Sequence, residues 1–221
     1  MQSNRKQAIT PLFLHRMAFF FDLRIPLHAA MWALFLVAFF SFRRKSNLVV
    51  ENTRSVSSAK VLRCSHLLLR ENTASLRIFA TKTIQFAQRS LTIPLPVIPG
   101  SILCPVAALH THLNLNQVPA SAPLFSVRAR GSQTCRVITY SQFSRFLARS
   151  LTAIGADSRA FSPHRFRRGA TFAFDCGLPP ELIKLHGDWR SDAYLVYLEM
   201  SDHQKRAAVT AMAHTLQQLG F

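Results

Sequence analysis

Residues 162–200 read SPHRFRRGATFAFDCGLPPELIKLHGDWRSDAYLVYLEM, and this stretch decides the fold. Ser162-Pro163 is a helix start signal and Gly177 a stop, so the pattern predicts a helix over Ser162–Cys176. Pro179-Pro180 restarts the chain into a short helix over Glu181–Leu185, which Gly187 ends. Two further helices are expected over Ser191–Met200 and His203–Leu219. His164 and Arg167 stand three apart on the first of these helices and so share a face. His186-Gly187-Asp188-Trp189 and Tyr194-Leu195-Val196-Tyr197 then add an imidazole, an indole N–H and two phenols.

Working upstream, Ser141–Ile154 carries Phe143, Phe146, Leu147 and Leu151 at helical spacing. Asn116–Gln133 reads as a polar loop, and Val106–Leu115 as a helix after the Pro/Gly loop Pro96–Pro105. Three extended runs precede it. His66–Arg70 is short and apolar, while Ser75–Ala80 and Ser90–Leu95 alternate as half-buried strands do. Pro94 puts the last run at a sheet edge. Lys82 is expected at the turn between the last two strands. Helices are expected over Pro11–Phe21 and His28–Phe42. The second is apolar nearly all round, hence buried, and runs directly into Arg43-Arg44-Lys45-Ser46-Asn47-Leu48 on a second short helix. The fold class is therefore mostly α with a small three-stranded antiparallel sheet.

Composition narrows the function. Lys and Arg number 27 against 10 Asp and Glu, a formal net charge of +17 spread over most of the 221 residues. Hydrophobic residues make up 49%, enough to build a core. A globular chain this basic points to a polyanionic partner, with nucleic acid first and an anionic membrane surface second. The longest apolar run, Ala29–Phe40, is well short of the roughly 20 residues a spanning helix needs, so no membrane anchor is expected. Cys64, Cys104, Cys135 and Cys176 form no CxxC pair, and the nine histidines form no HxxxH pattern, so neither metal nor cofactor is expected. The cysteines read as reduced thiols of an intracellular protein.

Arg44, Lys82, His164, Arg167, Trp189 and Tyr197 then form a chemically coherent set. Guanidiniums, an imidazole and an indole N–H are donors that suit phosphate oxygens. A hairpin lysine can donate a proton, and a tyrosine can form a covalent phosphoester. Paired carboxylates are missing from the set, which argues against a two-metal nuclease. Arg43 competes with Arg44, His186 with Trp189, and Tyr194 with Tyr197.

The segment 162–200 resembles the C-terminal box of tyrosine recombinases: HxxR, a glycine-stopped helix, a His or Trp, then Tyr. AFFSFRRKSNLV, ending at Val49, resembles the stretch that carries the first arginine of the recombinases of DIRS- and Crypton-type mobile elements. ATKTIQFAQRSLTIPLP, starting at Ala80, resembles their lysine stretch. The resemblance covers about residues 28–200. It implies the DNA breaking–rejoining fold and a reaction through a 3′-phosphotyrosine. Arg44, His164, Arg167 and Trp189 would grip the phosphate, Lys82 would protonate the leaving 5′ oxygen, and Tyr197 would attack. It further implies double-stranded DNA as partner, a homo-tetramer on DNA, and the nucleus if the host is eukaryotic. His203–Phe221 would be a segment exchanged between protomers. On this reading residues 1–27 are an N-terminal arm, a remnant of the linker to a core-binding domain, and 28–221 the catalytic domain. A type IB topoisomerase uses a similar set, and a catalytically silent DNA-binding domain domesticated from a mobile element would keep the fold without the reaction.

Overall fold

The structure is a computed structural model that describes residues 7–58, 61–79, 90–129, 134–189, 191–198, 209–210 and 217–218. The chain divides into two compact units, Met1–Gly169 and Ala170–Phe221.

The first unit is organised around one helix. Helices α1 (Pro11–Ala18) and α2 (Pro26–Ser41) both begin with proline in the first turn, where its missing N–H costs nothing. Every residue of α2 from Ala29 to Phe39 is buried. Its lack of a polar face is therefore that of a helix surrounded by protein. Phe35 is the hub, with ring centroids at 5.3 Å from Phe21, 5.6 Å from Phe143 and 5.1 Å from Phe166. Burying each such ring contributes about 1.5–3 kcal/mol. Residues before the expected catalytic boundary join this core, since Ile9, Leu14 and Met17 are buried. Gln7 N also donates to Ala160 O at 2.7 Å.

After the short α3 (Lys45–Leu48) and 3-10 turns over Thr53–Ser57 and Cys64–His66, the chain forms an antiparallel sheet in the order β1 (Leu67–Arg70), β2 (Thr73–Ile78), β3 (Leu91–Leu95). Leu76 pairs with Leu67 on one side and Ile93 on the other. The alternation expected from sequence holds, with Ala74, Leu76, Ile78, Ile93 and Leu95 turned inward. Pro94 sits on the edge strand, where a missing donor is tolerated. The expected Lys82 turn lies outside the described residues.

Helix α4 (Pro105–Asn116) packs on α2. The loop expected over Asn116–Gln133 contains strand β4 (Ser126–Arg128), paired antiparallel with β5 (Cys135–Val137). Three residues per strand are too few for a period to be visible, which is why the sequence reads as loop. A buried network fixes this region. His112 Nε2 is 2.9 Å from Leu124 O, and His112 Nδ1 is 2.9 Å from Asn116 Nδ2. Asn116 Nδ2 donates to Pro26 O at 3.0 Å, and Asn116 Oδ1 accepts from Arg128 N at 3.2 Å. These bonds tie α4, the start of α2 and β4 together and satisfy groups that would otherwise be costly to bury. Helix α5 (Tyr140–Ala153) starts with a capping box, in which Thr139 and Gln142 satisfy each other's backbone N–H.

The expected continuous helix Ser162–Cys176 is instead two pieces, a 3-10 segment Pro163–Arg168 and then α6 (Gly169–Asp175). Two close contacts account for the tight first part. Phe166 is fully buried against Phe35 and Phe143, and a Cβ on Gly169 would collide with the Phe39 carbonyl oxygen.

The second unit continues with α7 (Pro180–Gly187) and a 3-10 segment Asp192–Tyr197, shorter than the helix expected over Ser191–Met200. Of the expected helix His203–Leu219, only 209–210 and 217–218 are described. No described helix is long and apolar enough to cross a membrane.

Candidate nucleic-acid site

The first element of the site is the end of α2. Phe42 caps that helix in the left-handed region, φ 53°, an uncommon state for a bulky residue, and is held there by burial. The reversal sends the chain through Arg43 and Arg44 into α3. Arg43 is buried at 3% exposure, whereas Arg44 is the half-buried N-cap residue of α3. Lys45 is exposed, with its Nζ 4.8 Å from the centroid of the Tyr140 ring. Tyr140 N donates to Val50 O at 2.9 Å, so the start of α5 is fastened to the residues that follow α3.

The second element is the 3-10 segment Pro163–Arg168. Residues three apart eclipse in a 3-10 turn, so His164 and Arg167 stand one above the other. Between them Phe166 is sunk into the aromatic cluster, which orients both neighbours. His164 has exposed surface while Arg167 is 2% exposed.

These two elements, over a hundred residues apart in the chain, meet electrostatically. The imidazole of His164 is held below its usual pKa, first by partial burial and then by the charges of Arg167, Arg165, Arg44 and Lys45. Four cations around one neutral, donor-bearing ring form a place suited to a phosphate, since each opposes protonation of the ring and all favour an anion. Lys45 and Arg165 were not singled out as site residues from sequence. Their signal was present only as adjacency to Arg44 and His164. Tyr140 had no signal at all.

The second unit holds the other two candidates. Asp188 caps α7 in the left-handed region at φ 54°, and Trp189 folds back so that its ring fills the space a Cβ on Gly187 would need. Trp189 is 9% exposed and lies 6.2 Å, centroid to centroid, from Tyr194. Lys184 Nζ is 5.4 Å above the Tyr194 ring and 2.8 Å from Asp192 Oδ1, which ties the end of α7 to the following turn. Tyr194 is thus a buried packing residue of this turn. Tyr197 is the last residue of the same turn. His186, the rival donor, is half-buried on α7. Arg44, His164 and Arg167 therefore share one cluster in the first unit, Trp189 and Tyr197 share a short stretch of the second, and Lys82 lies outside the described residues. No group of three metal-ligating side chains occurs among the described residues.

No protein-family model and no curated protein matches the sequence. Solved structures do match. The XerH site-specific recombinase bound to palindromic difH substrate, in a post-cleavage complex, gives a TM-score of 0.63 at 13% identity, covering 93% of this chain and 53% of that one. XerA recombinase gives 0.63 at 17% identity, with 96% and 65% covered. An FLP recombinase–Holliday junction complex gives 0.51 at 17% identity, with 85% and 44% covered. At such identities the likeness is one of fold: the chain has the fold of the tyrosine recombinase catalytic domain. It spans between about half and two thirds of the XerH and XerA chains it matches.

Proposed function

We propose that the chain is the catalytic part of a tyrosine recombinase, which cuts and rejoins double-stranded DNA through Tyr197. The observation that carries this reading is the fold shared with recombinases, in which the 3-10 segment bearing His164 and Arg167 lies within the electrostatic reach of Arg44 and Lys45. In the reaction, Arg44 and Arg167 hold the non-bridging oxygens of the scissile phosphate. The Tyr197 oxygen gives its proton to water and forms a bond to phosphorus, while His164 completes the grip on the phosphate. The bond from phosphorus to the 5′ oxygen breaks, and that oxygen takes a proton from Lys82. Trp189 adds its N–H to the grip. The products are a 3′-phosphotyrosyl link and a 5′ hydroxyl. A second 5′ hydroxyl reverses the steps in a new partner, so no nucleoside triphosphate is consumed. Donors fixed in advance around the developing charge supply much of the acceleration, and removing one costs about 10²–10³ in rate.

The mobile-element origin rests on the AFFSFRRKSNLV and ATKTIQFAQRSLTIPLP stretches, and with it comes a nuclear location in a eukaryotic host; assembly as a tetramer on DNA comes with the recombinase reading itself. Residues 1–27 as an arm and 28–221 as the catalytic domain belong to the same proposal.

A nicked suicide duplex, which loses its free 5′ end after cleavage, tests the chemistry. The chain forms a detergent-stable adduct that maps to Tyr197. Tyr197→Phe abolishes it, and Tyr194→Phe, if folded, retains it. An adduct that survives Tyr197→Phe, or none from the wild type, overturns the assignment, the latter in favour of a silent DNA-binding domain. Supercoil relaxation without exchange between two sites would assign a topoisomerase instead.

A further inference from the structure

A cavity of about 880 Å³ lies in the first unit, lined by none of Arg44, His164 or Arg167. It runs between the 3-10 turn Thr53–Ser57, residues 119–126, strand β5 and the start of α5. Its size falls within the ~300–1,000 Å³ of ordinary ligand sites. Val56, Pro119, Ala122, Pro123 and Val137 give it apolar walls. Arg136 and Arg145 line it as well, and both are exposed. Among the described lining residues there is neither a carboxylate nor an aromatic ring.

The walls are braced. Arg63 donates to Ser121 O at 2.6 Å and to Val56 O at 3.1 Å, so one guanidinium joins two lining segments. Among the described strands, only β4 pairs with strand β5. Ile138 N donates to Phe125 O at 3.0 Å, which with the register makes Val127 and Arg136 a hydrogen-bonded pair. In an antiparallel ladder the alternate residues, Cys135 and Val137, then turn their N–H and C=O away from β4. Both residues line the cavity.

We propose that this cavity is a docking groove for an extended, acidic peptide segment of a partner protein, which adds a strand to β5, places apolar side chains on the walls and pairs its carboxylates with Arg136 and Arg145. Each part follows from the chemistry present. A strand edge that no described strand covers selects an extended backbone, and an arginine rim without a carboxylate among the described lining residues selects negative charge. Apolar walls without an aromatic platform select a peptide over a nucleic acid, whose bases would seek rings to stack on. The groove is independent of the recombinase reading, and either can fail without the other.

Fluorescence anisotropy of the full chain with a labelled short peptide of alternating Val and Glu tests it, with a Val/Lys twin as control. The Glu peptide binds and the Lys twin does not. Arg136→Glu with Arg145→Glu weakens binding by about tenfold or more, a loss expected for two rim pairs reversed in sign. Arg159→Glu, elsewhere on the surface and exposed, changes it by less than about twofold. Hydrogen exchange at the Cys135 and Val137 amides slows when the Glu peptide is bound. Equal weakening by Arg159→Glu, equal binding of the Lys twin or unslowed amides would overturn the proposal. So would a short DNA duplex, or a concentration-dependent second copy, that protects the same two amides without peptide.

Discussion

Gly169→Ala changes sign according to whether the 3-10 segment that carries His164 and Arg167 is pressed against α2. Gly169 has ordinary helical angles, φ −51° and ψ −32°. By propensity alone, alanine there stabilises by about 0.4–1 kcal/mol. The structure reverses this. An added Cβ would overlap the Phe39 carbonyl oxygen and stand 3.0 Å from Phe42 Cε1. The first neighbour is backbone in a fully buried helix and cannot swing aside. Overpacking of this kind costs about 1–3 kcal/mol, which exceeds the propensity gain. At about 2–4 °C per kcal/mol for a chain of this size, the melting temperature falls by roughly 2–12 °C before the propensity gain is subtracted. Thermal unfolding followed by circular dichroism reads the change. An unchanged or raised melting temperature would refute the close approach, and with it the placement of His164 and Arg167.

Asn116→Ala removes the partner of the Pro26 carbonyl and the Arg128 N–H, both part-buried, and destabilises by about 2–4 kcal/mol in urea unfolding; a cost under about 0.5 kcal/mol, the level of an ordinary surface change, contradicts the network. Burial holds the His112 pKa below its usual value, and His66 and His164 shift the same way. The unfolded chain then binds protons that the folded chain refuses, so stability is full above about pH 6.5 and declines as pH falls from there toward the folded pKa values. A urea midpoint that stays level or rises over that interval contradicts the assignment. Tyr140→Leu removes the ring beneath Lys45 and costs about 0.5–1 kcal/mol of cation–π energy beyond the packing change, measured by a double-mutant cycle with Lys45→Met; additive effects would show that the pair is not coupled.

Much of this was legible in the sequence because burial leaves a strong pattern. The run Ala29–Phe40 has no polar face, and α2 proved to be enclosed on all sides. The alternation in SLRIFA and SLTIPL became inward-facing Leu76, Ile78, Ile93 and Leu95. The spacing of His164 and Arg167 is the same in an α-helix and a 3-10 turn, so sequence gave their shared face but not the turn type. That depends on Phe166 finding Phe35, 131 residues away, and on Gly169 meeting Phe39. Strands β4 and β5 are too short to show a period, and the cavity beside them depends on four separated segments, which no local pattern encodes. In sequence Tyr194 and Tyr197 differ by their spacing from Trp189, five residues against eight, which favours Tyr197. In the structure Tyr194 packs against Trp189 and Lys184.

The functional reading stands on the charge of Arg44, from a distant part of the chain, acting on the turn that carries His164 and Arg167, and an NMR titration of the His164 imidazole tests that directly. Arg44→Gln removes a positive charge that opposes protonation, so the His164 pKa rises, while Arg159→Gln leaves it unmoved. A His164 pKa that is the same in wild type and Arg44→Gln, or that rises equally in Arg159→Gln, would contradict the convergence and remove the basis for a phosphate site there.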